Sequence, residues 1–276
     1  MLAVDRAAAL ARQFGARLPL LHVVDEDQPR EIVASDVARA REALDLRIQH
    51  LNRSGPLEAE SDVKPGVVFQ AIVATAQDSN ADLVVLGAHR RRILRDVVVG
   101  TTIERVMRTG RHPVLMVNAA TNGPYESVLL ALDASKASAL AANAAKSLRI
   151  LEDVRVSVVR AFEPVYKGML EWAGAQENTV TAYSEAWARE TRVEIGNLLR
   201  EAGMRGEASE VLVEEGPPFL VVRRSIERLE PQLLVIGTHG RTGLRRALLG
   251  SVAEQVIREA ECDVLVVPAA RAARAV

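Results

Sequence analysis

The feature that most constrains the fold of this chain is an internal repeat. Residues 63–117 align with residues 213–267 at a constant offset of 150 and without a gap, and 17 of the 55 aligned pairs are identical. Repeats that stack into solenoids have periods of roughly 20–50 residues. A period three times longer indicates that the chain contains two whole domains of the same kind.

Length and composition agree with two α/β domains. A chain of 276 residues is comfortable for two domains. Apolar residues make up 49% of it but aromatic residues only 3%, so the cores must consist of Val, Leu, Ile and Ala, as in parallel sheets covered by helices. We predict domains at residues 1–120 and 125–270, a linker at Ala119–Glu126 with a turn sequence, and a frayed tail at 271–276.

Charge, cysteine content and hydropathy disfavour several classes of protein. The 35 basic and 36 acidic residues leave a net charge of −1, which does not favour nucleic acid as a partner. The single cysteine, Cys262, excludes a disulfide within the chain, and we expect a buried, inert thiol. No run approaches the ~18 apolar residues of a membrane span, and charges at Asp5 and Arg6 do not fit a signal peptide. We therefore expect no membrane partner and a cytoplasmic location.

Both repeats alternate strand patterns with helix patterns, which predicts parallel sheets with right-handed crossovers. In the second repeat we predict strands at 127–132, 154–160, 209–213, 232–236 and 263–267, and helices at 136–151, 179–202, 217–229 and 252–259. In the first repeat we predict strands at 18–24, 59–63, 82–86 and 113–117, and helices at 31–52, 67–78 and 102–109.

The beginning of the first repeat departs from this plan. Only some 17 residues precede the strand at Leu18, and most of them have a helical pattern. Either the opening strand is missing, or Leu2–Val4 is a stump of it followed by a shortened helix. We expect a truncated or misassigned chain start.

A glycine motif in the second repeat points to phosphate binding. The predicted strand 232–236 runs into Gly237, Gly240 and Gly250-Ser251 with the spacing G-x2-G-x9-G-S. Glycines let a backbone approach a ligand, and the start of a helix presents amide groups and positive potential. Asp133 follows the strand 127–132 at the same sheet edge, where its carboxylate can accept hydrogen bonds from a base or ribose.

The same residues allow a purely structural interpretation. Ser251 and Glu254 have the spacing of a helix capping box, and so do Thr101 and Glu104. Glycine-rich turns are also common without any ligand. The glycines alone leave both interpretations open.

Five segments resemble the universal stress protein family in its tandem, two-domain form. They are LLVIGTHGRTGLRRALLGSVAEQVI (233–257), ALDAS (131–135), CDVLVVP (262–268), LPLLHVVD (18–25) and HPVLMVN (112–118). The resemblance implies two doubly wound domains, each with a five-stranded parallel sheet of strand order 3-2-1-4-5. It also implies antiparallel pairing of the last strands, 114–117 and 264–267, and a possible homodimer.

The resemblance further implies a nucleotide site, because ATP-binding members use this glycine motif for the phosphates and ribose. Magnesium would arrive only with the nucleotide. The positions that carry over to this chain are Asp133, Gly237, Gly240, Gly250, Ser251 and Val252, with Ala161 and Phe162 as weaker candidates. From their own chemistry we add His239 as a candidate and Arg241 as a weaker one.

The first repeat has a degenerate version of the motif. Gly87 is followed by Arg90 in place of the second glycine, and then by Gly100 and Thr101. An arginine there crowds the phosphates or pairs with them. The first repeat also lacks a clear counterpart of Asp133, so we expect it to bind nucleotide weakly or not at all.

Four further side chains have two interpretations each. His239 contacts phosphate or shapes the turn, and Arg241 attracts a polyphosphate or lies on a solvated helix face. We expect Trp172 and Trp187 to cover the sheet rather than stack on a base.

Three functions remain open at this point. The chain is a binding module for ATP or a related adenine nucleotide, a slow ATPase or nucleotidyl-transferring enzyme, or a stress or scaffold protein that needs no nucleotide. No catalytic residue can be assigned, because the sequence has neither a G-x-S-x-G motif nor a Walker lysine.

Overall fold

The computed structural model describes residues 2–88, 102–120, 123–204, 206–238 and 249–269, and it confirms the α/β class. The chain divides into two compact units, Met1–Pro124 and Tyr125–Val276. No helix within the described ranges is long and apolar enough to cross a membrane.

The second unit has the strand order that the resemblance implies. Its strands are β5 (Ser127–Ala131), β6 (Arg155–Phe162), β7 (Ala208–Glu215), β8 (Leu233–Gly237) and β9 (Asp263–Val267). Its helices are α5 (Lys136–Ser147), α6 (Lys167–Trp172), α7 (Glu177–Glu201), α8 (Pro218–Leu229) and α9 (Ser251–Glu259). The strands lie in the order β7-β6-β5-β8-β9, and every neighbouring pair is parallel.

The first unit has the same succession of elements but lacks the central strand. Its strands are β1 (Leu18–Val24), β2 (Ala59–Pro65), β3 (Val84–Gly87) and β4 (Val114–Val117). Its helices are α1 (Leu2–Phe14), α2 (Arg30–Asn52), α3 (Val68–Asp78) and α4 (Thr102–Thr109). β1 pairs with β2 and β3 pairs with β4, but the two pairs belong to separate sheets.

The separation follows from what precedes β1. In the second unit β5 pairs with β6 on one side and β8 on the other, and so joins the two halves of the sheet. In the first unit α1 precedes β1 as α5 precedes β6, and no described residue forms a counterpart of β5. The idea that Leu2–Val4 is a strand stump is wrong, because these residues belong to α1. Helix α1 packs against β1, β3 and β4 instead of pairing with them.

The strands that would flank a central strand, β1 and β3, are less buried than their counterparts β6 and β8 in the second unit. Every residue of β5, β8 and β9 is buried, because these strands are covered on both faces. In the first unit β3 is only partly buried, and β1 has just Leu20 and Val24 buried. The second unit is therefore the better framework for a rigid site.

Helix α6 is an element that the sequence pattern did not predict. It lies in the long connection between β6 and α7, and Met169 and Trp172 on it are exposed. The ammonium group of Lys167 donates a 2.6 Å hydrogen bond to Glu215 at the end of β7. That hydrogen bond raises the pKa of Lys167. With six residues and little burial, α6 has no hydrophobic periodicity from which it could be predicted.

Candidate functional site

The second unit contains a cleft of about 470 Å³ where β5, β6 and β8 end. This is the sheet edge at which open α/β folds bind ligands. The cleft gathers seven of the residues predicted for the site: Asp133, Ala161, Phe162, Gly237, Gly250, Ser251 and Val252. They come from segments far apart in the sequence, and adjacent strands bring them together, with Ala131 of β5 opposite Ile236 of β8.

Asp133 is held in a fixed position between β5 and α5. Its Oδ1 atom accepts hydrogen bonds from the hydroxyl of Ser138, at 2.7 Å, and from the amide of Ser135, at 3.0 Å. The hydroxyl of Ser138 in turn accepts a 2.7 Å hydrogen bond from the amide of Asp133. These contacts place the carboxylate at the wall of the cleft before any ligand arrives.

Ser135 fixes the start of the helix that follows. It is the N-cap of α5, and its hydroxyl accepts a 3.2 Å hydrogen bond from the amide of Ser138. Such a cap satisfies one of the backbone donors left open in the first helical turn. The cap and the carboxylate of Asp133 therefore stabilise the same turn.

Gly237 is required by packing rather than by a tight turn. A Cβ atom at this position would lie 2.9 Å from the carbonyl oxygen of Ala137 and 3.1 Å from its Cβ. Real Cβ contacts are almost never that short. The glycine thus lets the first turn of α5 lie directly on the end of β8.

Thr238 ties together three segments beside the motif. Its amide donates to the carbonyl of Val267 at 3.0 Å, and its own carbonyl accepts from the amide of Gly250 at 2.7 Å. Its hydroxyl accepts from the amide of Ala269 at 3.1 Å. Thr238 at the end of β8 is therefore joined directly to Gly250 at the start of α9. His239, Gly240 and Arg241, which the sequence predicts for the site, lie outside the described residues.

The start of α9 differs from the capping box that the sequence allows. The N-cap is Gly250, at φ −65° and ψ 151°, and Ser251 is the exposed first residue of the helix. The prediction that Ser251 caps α9 through a box with Glu254 is therefore wrong. Gly250 has no side chain that could cap the helix, and the first turn of α9 lines the cleft, where the helix dipole contributes positive potential. The parallel box at Thr101 falls outside the described residues.

Helix α7 forms a wall of the cleft that sequence reasoning missed. Trp187, Glu190, Thr191 and Glu194 all line the cleft, and their spacing of three, four and seven residues places them on one helix face. That spacing was the available signal. Trp187, which we expected to cover the sheet, borders the cleft instead.

Arg160 is a second lining residue that the sequence reasoning missed. It lies in β6 directly before Ala161 and is 6% exposed. One of its guanidinium nitrogens, Nη2, lies 3.6 Å from Oε2 of Glu194. The side chain of Glu194 is 37% exposed, so this ion pair joins a buried guanidinium of β6 to a partly exposed carboxylate of α7.

The charges of the lining residues give the cleft two different ends. Gly250 and Ser251 supply a helix start with positive potential. The other charged groups that line the cleft are the carboxylates of Asp133, Glu163, Glu190 and Glu194 and the guanidinium of Arg160. They follow β5 and β6 or lie on α7, whereas α9 follows β8. An elongated ligand with a negative end and an uncharged end that donates hydrogen bonds fits this polarity.

The first unit does not reproduce the site. Its Gly87 stands at the end of β3, where an added Cβ would lie 3.7 Å from the Cβ of Ala3 on α1, an ordinary contact. Because α1 begins at Leu2, no described residue of this unit holds the place of Asp133. Arg90, Gly100 and Thr101 are outside the described residues. Among the residues that are described in either unit, no group of three His, Cys, Asp or Glu is arranged to hold a metal ion.

Comparison with known sequences identifies relatives over both units. The model of the universal stress protein family matches residues 1–118 and 124–268. Universal stress protein Rv2005c of Mycobacterium tuberculosis is 28% identical over 253 residues, which cover 88% of this chain and 78% of that protein. Universal stress protein E of Escherichia coli is 28% identical over 230 residues, which cover 79% of this chain and 70% of that protein.

Solved structures show the same fold. A universal stress protein from Archaeoglobus fulgidus superposes with a TM-score of 0.68, covering 98% of this chain and 94% of that one at 16% identity. At this identity the likeness concerns the fold alone. It extends over both units and not over one of them only.

Proposed function

Since the chain belongs to the universal stress protein family, we propose that its second domain binds ATP or a related adenine nucleotide in the cleft, as a regulatory binding module of a stress response. The observation that carries the proposal is the meeting of Asp133, Gly237 and the start of α9 in one cleft. A carboxylate at one side and a helix start at the other match the two ends of a nucleotide.

The phosphates belong at the start of α9 in this proposal. The amides of the first turn and the helix dipole favour a polyanion there. The hydrogen bond between Gly250 and Thr238 supports the site, because it holds the helix start beside the end of β8. His239, Gly240 and Arg241 stay candidates from the sequence motif alone.

The base and ribose belong at the other side, against β5 and β6. The carboxylate of Asp133 is positioned to accept hydrogen bonds from them, and the side chain of Phe162 lines the same part of the cleft. A carboxylate attracts donors such as a ribose hydroxyl or an exocyclic amino group. It repels phosphate, which sets the direction in which the nucleotide lies.

We propose that the first domain supports the second without a comparable site of its own. Its sheet lacks the central strand, and the place of Asp133 is not filled. The nucleotide state of the second domain then determines which partner the protein engages. A slow hydrolysis of the bound ATP remains the competing hypothesis, and a turnover assay decides between the two.

The test is thermal unfolding in the presence of nucleotide, with two matched variants. A ligand at 100 times its Kd stabilises the folded state by about 2.7 kcal/mol, which raises the Tm of a domain of this size by roughly 5–10 °C. Ser251→Asp places a negative charge at the start of α9, and Ser251→Asn places a neutral group of the same size there. Aspartate in a first helical turn stabilises the helix by about 0.3–1 kcal/mol.

We therefore expect opposite effects on the free and the bound protein. Ser251→Asp keeps or raises the Tm without ligand and loses most of the shift that ATP produces, whereas Ser251→Asn retains the larger part of that shift. Mass spectrometry of the purified protein is expected to find a retained adenine nucleotide. No Tm shift with millimolar ATP, ADP or AMP, together with no retained nucleotide, contradicts the proposal.

A further inference from the structure

We propose that Trp187 of α7 is the surface on which the base of the bound nucleotide stacks. This inference rests on the proposed function and adds a residue that determines how the base is held. Trp187 is half-buried and lines the same cleft as Asp133 and Gly250. It is thus an aromatic side chain with one part packed on the protein and another part facing the cleft.

The face of α7 on which Trp187 lies is fixed by its neighbours. Thr191, one turn further along, is 4% exposed, and Glu194 pairs with the buried Arg160 of β6. These contacts hold this face of α7 toward the sheet. Because α7 connects two parallel strands, it runs back from the carboxyl edge of the sheet, so Trp187 lies nearer the mouth of the cleft than Glu194 does.

The indole ring of Trp187 also contacts a second aromatic ring on α7. Tyr183 precedes Trp187 by one helical turn, and their rings meet edge to face with centroids 6.4 Å apart and an angle of 73° between the planes. Aromatic pairs of this kind contribute about 0.5–1.5 kcal/mol beyond their burial. A ring positioned in advance loses little conformational freedom when a base stacks on it.

The order of the strands gives the distance that the ligand must span. Phosphates at the start of α9 lie beside β8, Asp133 follows β5, and Trp187 lies on α7, which packs on β6 and β7. Neighbouring strands are about 4.8 Å apart, so β8 and β6 are separated by about 10 Å. A nucleotide extended across β5 therefore has its phosphates near α9 and its base at the end of the cleft that contains Trp187 and Phe162.

The experiment uses the two tryptophans as reporter and control. Trp172 on α6 is 91% exposed and does not line the cleft. In the full-length Trp172→Phe protein, Trp187 is the sole tryptophan. We expect ATP to quench its fluorescence along a saturating curve with the Kd that calorimetry gives. Tripolyphosphate, which has no base, is expected to bind without that quenching.

Affinity measurements on substituted proteins give the second readout. Trp187→Leu is expected to weaken ATP binding about tenfold, the size of one base–aromatic stacking contact, while tripolyphosphate binding stays unchanged. Trp187→Phe retains an aromatic ring, so its Kd for ATP is expected to lie between those of the wild type and Trp187→Leu. Trp172→Leu is the matched control, with an unchanged Kd for both ligands.

The outcomes separate this inference from the proposed function. ATP binding without quenching of Trp187, or an unchanged Kd for ATP in Trp187→Leu, overturns the stacking role and leaves nucleotide binding in place. A wild-type protein that binds no nucleotide overturns both. Because the quenching experiment leaves Trp187 intact, it holds even where Trp187→Leu is too unstable to measure.

Discussion

The end of strand β8 and the first turn of helix α5 touch at Gly237 and Ala137, where a Cβ added to the glycine would lie 2.9 Å from the carbonyl oxygen of the alanine. The contact joins the first glycine of the motif to the helix that follows Asp133. Gly237 thus has a role in packing that is separate from its proposed role in ligand binding. A loss of nucleotide binding in a Gly237 variant has to be corrected for the stability that the variant loses.

Gly237→Ala is predicted to destabilise the second unit by about 1–3 kcal/mol, the usual cost of overpacking a dense interior. Gly87→Ala is the matched control, because it changes the same motif position in the first unit, where the added Cβ makes an ordinary 3.7 Å contact. We expect the control to change stability by less than about 0.5 kcal/mol. Urea unfolding measures both, and equal effects of the two substitutions contradict the packing argument.

Asp133→Asn is predicted to separate the structural role of this side chain from its role in binding. An asparagine oxygen can still accept the hydrogen bonds from Ser138 and Ser135. We therefore expect the free energy of unfolding to change by less than about 1 kcal/mol. Loss of the charge is expected to weaken nucleotide binding about tenfold, since hydrogen bonds to charged groups are the stronger ones.

Isothermal calorimetry with ATP measures this effect, and Ser138→Ala provides the comparison. That substitution removes the hydroxyl that orients the carboxylate but leaves the charge, so a smaller loss of affinity is expected. If Asp133→Asn binds ATP as tightly as the wild type does, the base and ribose do not contact Asp133.

Ser135→Ala is predicted to lower stability by about 1 kcal/mol, the usual value of an N-cap. The lost contact is the 3.2 Å hydrogen bond from the amide of Ser138. Ser147, the exposed last residue of the same helix, is the control. Ser147→Ala removes no cap, only an exposed 2.8 Å hydrogen bond to the carbonyl of Asn143, and it exchanges serine for a better helix former. In thermal unfolding we expect the Tm to fall for Ser135→Ala and to rise or stay unchanged for Ser147→Ala.

The thiol of Cys262 is predicted to be inert in the folded protein. Burial raises its pKa to about 11 from an ordinary value of 9.0. At pH 8 that shift leaves about one hundredth of the usual thiolate, and the thiolate is the reactive form. We expect iodoacetamide to label the protein in urea at the normal rate and the native protein far more slowly.

The same shift predicts how stability changes with pH. Between about pH 9 and about pH 11 the unfolded chain releases the thiol proton while the folded chain keeps it, so the folded state binds more protons and loses stability as the pH rises. Cys262→Ala is expected to remove that part of the alkaline fall. If Cys262→Ala loses as much stability as the wild type over this pH range, the loss comes from other titrating groups.

Most elements of the fold could be predicted from the sequence. Strands β5, β8 and β9 of the second unit are buried apolar runs, which separates them from the amphipathic helices by local pattern alone. Helix α6 escaped prediction because it is short and exposed, so burial imposes no pattern on it. The strand order came from the family resemblance, since no local pattern states which strands are neighbours.

The candidate site was predicted only in part. Asp133 and the positions from Gly250 to Val252 were named from a motif, and the structure places them in one cleft. Arg160 and Trp187 were missed or given another role, because their significance depends on which face of α7 lies against β6. The cap of α9 was assigned to Ser251 instead of Gly250, since a sequence match does not tell where the backbone leaves the helical conformation.

By itself the sequence determined that the chain has two related domains, with strands and helices in alternation and a glycine motif intact only in the second. These properties follow from local periodicity and from identities along the chain, which can be recognised without knowing which segments are close in space. The tertiary structure decided that the first sheet is split and that Gly237 serves packing. It also decided that α7 walls the cleft. Each of these depends on contacts between segments far apart in the chain, and only the pairing of strands and the packing of helices on them set those contacts.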